Sequence, residues 1–195
     1  MPNKSMISRR LRLAGAAACA LMAAWTVSAS AEPKSWTVDP AQSEIVFVAT
    51  QLGAPFEGVF RTFEADIRFD REDLPNSTAS VTIDVGSLDT GEDQRDSQAK
   101  GPEFFDVASH PTAIFKTSAI TKTDTGYLAD GTLEMKGITK PVKLPFTLEF
   151  LGDQARMSGG LIIDRTGWTV GTGEWLSGDT VGRDVEIRIS LLASQ

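Results

Sequence analysis

KLPFTLEF, residues 143–150, alternates with a period of two, placing Leu144, Phe146, Leu148 and Phe150 on one side and Lys143, Pro145, Thr147 and Glu149 on the other. VEIRISL, residues 185–191, repeats the pattern with Val185, Ile187, Ile189 and Leu191 against Glu186, Arg188 and Ser190. Successive side chains of a strand point to opposite faces, so each run predicts a strand with one dry and one wet face. Such faces belong to antiparallel sheets, because strands of buried parallel sheets are apolar on both sides. Working outward, Ile45, Phe47 and Ala49 alternate, then Ala65, Ile67 and Phe69, then Val81, Ile83 and Val85. Less regular strands are expected over 112–121, 126–136 and 156–165, making about eight long strands. Turn residues separate them at Asp73-Leu74-Pro75-Asn76, Asp124-Thr125-Gly126 and Leu151-Gly152-Asp153-Gln154. A proline cannot donate to a ladder, so Pro145 predicts an edge or a bulge at that point. This is an all-β pattern, a meander closed into a barrel or else a sandwich.

One segment, from about Gly91 to Ser109, breaks the alternation. It is charged at its start, carries Gly101 and Pro102 in the middle and Phe104-Phe105 near its end. It reads as a short helical crossover around residues 91–105, followed by a turn that folds Phe104 or Phe105 onto the barrel mouth.

The N-terminus reads as an export signal. Arg9, Arg10 and Arg12 precede an apolar run from Leu13 to Val27, and Ala29-Ser30-Ala31 is a small-x-small cleavage site. The run is shorter than the ~20 residues of a membrane span. Arg12 stands where a twin-arginine signal wants an apolar residue, and Ala16 where a lipoprotein site at Cys19 wants Leu, so general secretion with cleavage after Ala31 is expected. The expected domains are therefore a signal peptide, 1–31, and one barrel, 32–195, in the periplasm. Losing Lys4, Arg9, Arg10 and Arg12 takes the formal charge from −7 to −11, which argues against nucleic acid as a partner. Cys19, the one cysteine, leaves with the leader, and His110 is the one histidine. No disulfide and no His/Cys zinc site is expected, and a Ser-His or Cys-His pair would have to use His110. His110, beside Pro111, is expected in solvent.

The order of segments resembles the YceI-like family of extracytoplasmic, lipocalin-like barrels. WTVDPAQSEIVFVATQLG (36–53) is similar to its opening, and GVFRTFEADIRFD (58–70) to its G-x-F-x-x-F block, with Ala65 where glycine is usual. SLDTGEDQRDSQAKGPEFFDVASHPTAIFKTSAI (87–120) resembles its most distinctive block, an Arg-Asp pair followed by Phe-Phe-Asp. LADGTLEMKGITKPVKLPFTLEF (128–150), RTGWTVGTGEW (165–175) and VGRDVEIRI (181–189) resemble its remaining hairpin and C-terminal strand. Histidines that many members carry before Ser43 and near Gln51 are absent.

The resemblance implies an eight-stranded antiparallel lipocalin-like β-barrel whose tunnel holds a polyisoprenoid or prenylquinone, with no cofactor and no catalysis. An eight-stranded barrel can be filled by side chains or hold one small ligand, so strand count alone does not choose. With a tunnel, the expected lining is Ile45, Phe47, Ala49 and Phe60, then Ile67, Phe69, Ile83 and Phe115, then Leu133, Phe146 and Leu148. Phe104, Phe105 and Trp168 complete the set at the rim, with Trp175 beside them. A fatty acid or fatty amide as ligand stays open, as do a carboxylate-based hydrolase, transient membrane contact and a homodimer. Arg95-Asp96 is expected to form a local ion pair or cap, with contact to a ligand head group as the alternative. Asp89, Glu92, Asp93 and Asp96 lack the spacing of a calcium loop.

Overall fold

The computed structural model describes residues 32–195, and the expected leader lies outside the described residues. The strands are β1 (Ser35–Val38), β2 (Glu44–Gln51), β3 (Ala54–Phe60), β4 (Phe63–Arg68), β5 (Thr78–Asp84) and β6 (Leu88–Asp89). Helix α1 (Asp93–Lys100) follows, then β7 (Thr112–Lys122), β8 (Tyr127–Met135), β9 (Ile138–Leu151), β10 (Gln154–Asp164) and β11 (Asp184–Ser194). All the strand pairs are antiparallel.

The ring β1-β4-β5-β7-β8-β9-β10-β11 closes through Thr37↔Ser194 and Val38↔Ala193, giving an eight-stranded barrel rather than a sandwich. The three further strands are continuations. β1 runs into β2 along the same edge of β11, β3 runs into β4, and β5 runs into β6, each pair broken by a corner. Aspartates form three of the corners by the same local device, accepting a backbone N–H two residues on. Asp39 caps Ala41 at 2.9 Å, Asp84 caps Gly86 at 2.8 Å and Asp164 caps Thr166 at 3.0 Å.

Pro145 lies at an edge, as its missing N–H requires. β9 pairs with β10 only from Phe146↔Gly159 to Leu151↔Gln154, so residues 138–145 pair with β8 alone. Pro141 falls in the same one-sided stretch.

Helix α1 is polar throughout and ordered at its N-terminus. The Glu92 carboxylate accepts from the Gln94 and Arg95 N–H groups, and Asp96 accepts from both the N–H and the hydroxyl of Thr90. The turn after it folds back as expected. Phe104 is buried and meets the Trp175 ring at 5.4 Å, while Phe105 meets Phe60 edge-on at 6.1 Å. His110 departs from expectation: it is half-buried, with its ring against Gly137, where a Cβ would come within 3.3 Å of it.

The inward faces gather into two clusters. One surrounds Val85, Phe104, Leu133, Met135 and Trp168, and the other Trp36, Phe69, Ile120, Ala129 and Leu144.

Candidate functional site

The alternation places the apolar faces of all eight ring strands toward the barrel interior, but their side chains do not fill it. Two adjoining cavities remain, of about 150 Å³ and 320 Å³, with Ile187 lining both. Each is many times the ~10–15 Å³ that one water requires.

The smaller cavity is walled by apolar groups such as Trp36, Ile67, Phe69, Phe115 and Phe146, and no ionisable side chain reaches it. Thr78 and Thr117 are its two hydroxyl-bearing residues, and the Thr117 hydroxyl is engaged in the sheet with the backbone of Ala79. Such a wall excludes water and offers no group to transfer a proton.

The larger cavity has two kinds of wall. Phe47, Phe56, Phe60, Phe104 and Phe105 supply apolar surface, while α1 and its approach bring Thr90, Glu92, Gln94, Arg95 and Gln98 to one side. Glu103 ties this rim together, accepting from Trp175 Nε1 at 2.9 Å and from Gln98 Nε2 at 3.1 Å. Trp175 therefore keeps its ring in the cavity wall and its N–H in a polar bond.

Arg165 holds the far wall and is 4% exposed. Its Nε donates to the Gly182 carbonyl at 2.9 Å and its Nη1 to Val170 at 2.6 Å and Gly171 at 3.3 Å. Its Nη2 donates to the carbonyls of Trp175 and Val181. The loop from 166 to 183 is thus wound around one guanidinium. Burial lowers the Arg165 pKa, the neighbouring Asp164 charge opposing that shift. Gly171, at φ +83°, is required here, because a Cβ would lie 2.0 Å from Nη1. Outside the cavity, Asp164 is held at about 2 by hydrogen bonds from Thr166 and Arg183.

Arg95 and Asp96 do not pair with each other. Asp96 caps, as one branch of the expectation had it, but no ion pair involving Arg95 is formed among the described residues. Its guanidinium lies 4.1 Å from the Phe56 ring centroid, and its Nε is buried with no hydrogen-bond partner. The acids near α1 are engaged separately, with Asp89 on Arg61 and the Gly91 N–H, and Glu92 on the helix start. Among the described residues no three His, Cys, Asp or Glu side chains converge as a metal site.

With this geometry in view, a family model for the YceI-like domain matches residues 36–193. The chain belongs to the YceI-like family. A UPF0312 protein of Vibrio parahaemolyticus is 31% identical over 139 residues, 69% of this chain and 72% of that protein. A UPF0312 protein of Pectobacterium atrosepticum is 35% identical over 96 residues, 49% of this chain and 50% of that protein. Among solved structures, BcnA of Burkholderia cenocepacia matches with a TM-score of 0.78 at 35% identity, over 81% of this chain and all of that one. A polyisoprenoid binding domain from Saccharophagus degradans matches with a TM-score of 0.64 at 16% identity, over 82% of this chain and 97% of that one, a likeness of fold.

In this YceI-like barrel, Ile45, Ile67, Phe69, Ile83, Phe115, Leu133, Phe146 and Leu148 face the smaller cavity. Phe47, Ala49, Phe60, Phe104 and Phe105 face the larger one. Trp168, expected at the rim, lines neither: it is buried behind the wall, its Nε1 donating to the Leu133 carbonyl at 3.0 Å and Lys140 lying over its ring. The sequence reading passed over Arg165, Phe56 and Trp36 as site residues. Arg165 had a signal, a charged residue closing an apolar strand before a glycine-rich stretch. Phe56 had none, because it follows a proline on an irregular strand.

Proposed function

We propose that this protein is an exported binding protein, without catalytic activity, that holds one long-chain apolar lipid, a polyisoprenoid first among them, along the two joined cavities. The observation that carries the reading is the smaller cavity: an apolar space with no ionisable wall, sharing Ile187 with a larger one that has a polar rim. An apolar chain gains about 0.8 kcal/mol per methylene buried there, so affinity needs no reacting group. The surplus is smaller than that sum, since association costs are subtracted and the free lipid already sits in a membrane or micelle. The Saccharophagus domain, named for polyisoprenoid binding, has the same fold and supports the choice of ligand class. The lining residues assigned above, from Ile45 to Leu148, are then ligand contacts as well as core. Prenylquinones fit the same space, their rings at the rim and their tails below.

The test is direct. Protein purified from the periplasm is extracted with organic solvent, and the extract is analysed by mass spectrometry beside a native spectrum of the intact complex. One long-chain lipid per barrel is the expected result. The absence of both a co-purifying lipid and uptake of an added long-chain prenol would overturn the reading. The intact mass checks export at the same time: a chain beginning at Glu32 is expected, and retention of residues 1–31 would contradict it.

A further inference from the structure

Among the described residues, Arg95 is the cavity-wall side chain with a buried polar atom left unbonded. It sits on the first turn of α1 at the polar side of the larger cavity, half-buried, with its guanidinium carbon 4.1 Å from the Phe56 ring centroid. Its Nε–H is buried and makes no hydrogen bond. A buried donor without a partner is costly, and most such groups in folded proteins are paired. The neighbouring carboxylates make their hydrogen bonds with other groups. Glu92 accepts from the backbone at the helix start, Asp96 from Thr90, and Glu103 from Trp175 and Gln98. The same cavity is lined by a second guanidinium, Arg165, whose donors are consumed by backbone carbonyls. The larger cavity is thus lined by two guanidiniums and one carboxylate, Glu92, and Arg95 keeps its Nε–H without a partner.

Resting on the lipid-binding reading above, we infer that this rim recognises an oxyanion: the ligand's head is a carboxylate or phosphate bound by Arg95, and its tail descends past Ile187 into the apolar cavity. Arginine suits this role, because its planar fork meets two oxygens at once and the Phe56 ring beneath it fixes its plane. Phe56 supports the cation from one side, and the Nε–H is left without a partner. The smaller cavity can hold no charge, since every ionisable group is absent from its wall, so the ligand enters in one direction only.

Lipid-free protein is titrated with chain-matched probes, namely dodecanoate, dodecanol and dodecylamine, and farnesyl phosphate beside farnesol. The fatty and prenyl arms separate a carboxylate from a phosphate source. The anion of each set should bind about tenfold or more tighter than its alcohol, with the amine weakest, as a charge-assisted bond in a desolvated site requires. Arg95→Gln should bring anion and alcohol to within about twofold of each other, chiefly through loss of anion affinity, and Arg95→Lys should retain part of the preference. The apo melting temperature of each variant separates a lost bond from a lost fold. Equal binding of anion and alcohol by the parent, or a uniform fall for all probes in Arg95→Gln, overturns the assignment of the head group and leaves the carrier standing. Failure of the parent to bind any probe overturns both.

Discussion

Ala49→Trp separates a hollow barrel from a solid one. Ala49 is buried on β2, opposite Phe56 of β3, and faces the larger cavity. In a filled core, an added indole forces neighbours off their rotamers at a cost of about 1–3 kcal/mol. For a domain of this size each kcal/mol is about 2–4 °C, so a solid barrel would melt roughly 2–12 °C lower. In the hollow barrel the ring has an adjoining space of about 320 Å³ to enter. The apo protein should then melt within about 2 °C of the parent. The indole does exclude ligand. Displacing on the order of five methylenes at ~0.8 kcal/mol each removes up to about 4 kcal/mol, or roughly a thousandfold in Kd. The paired assay is calorimetry of the lipid-free variant and titration with the prenol that the parent binds. Thr147→Trp, on the exposed face of β9, serves as control and should change neither readout. A large fall in the apo melting temperature, together with a parent that binds no lipid, would refute the reasoning.

Other outcomes follow from the wall and its corners. Arg165→Met leaves the carbonyls of Val170, Gly171, Trp175, Val181 and Gly182 without their donor, and should cost about 3–5 kcal/mol in denaturant unfolding, with proteolysis appearing first between 166 and 183. Unchanged stability would mean that the loop is held by something else. Asp164, with its pKa depressed to about 2 from an ordinary 3.8, contributes stability that is complete above about pH 4 and is lost as pH falls through 2. The gap in melting temperature between the parent and Asp164→Asn should therefore be widest above pH 4 and shrink toward pH 2, and a gap independent of pH would contradict the assignment. Leu52 occupies the hairpin tip between β2 and β3 at φ +52° and is 77% exposed, a conformation that suits asparagine before Gly53 far better. Leu52→Asn should raise stability by about 0.5–1 kcal/mol, and a lower melting temperature would show that the leucine makes a contact of its own.

Much of the barrel was legible because alternation is a local property. Leu144, Phe146 and Leu148 turn inward, and Thr147 outward, as their spacing predicts, and Pro145 marks the stretch of β9 without a second partner. The helical crossover and the inward turn of Phe104 and Phe105 follow from the break in that alternation. The site was legible where it coincides with strand faces and illegible where it does not. Trp168 was read as rim from its neighbours, yet a ring on a 3-10 corner is oriented by what its N–H can reach, here the Leu133 carbonyl. Arg95 and Asp96 were read as a local ion pair or cap; Asp96 does cap, on Thr90, but adjacent residues on a helix point about 100° apart, and Arg95 lies on Phe56 instead.

The strands, their dry faces and their turns are determined by the sequence, since each depends on residues within a few positions of one another. Closure depends on Val38 meeting Ala193, positions no local pattern relates. The five carbonyls around Arg165 are likewise assembled only by the loop that folds about it. Tertiary structure alone also decides that the interior stays open. A cavity is the small difference between the volume a closed ring encloses and the volume its side chains occupy, and the first of these quantities exists only after strand pairing has fixed the tilt and diameter of the barrel.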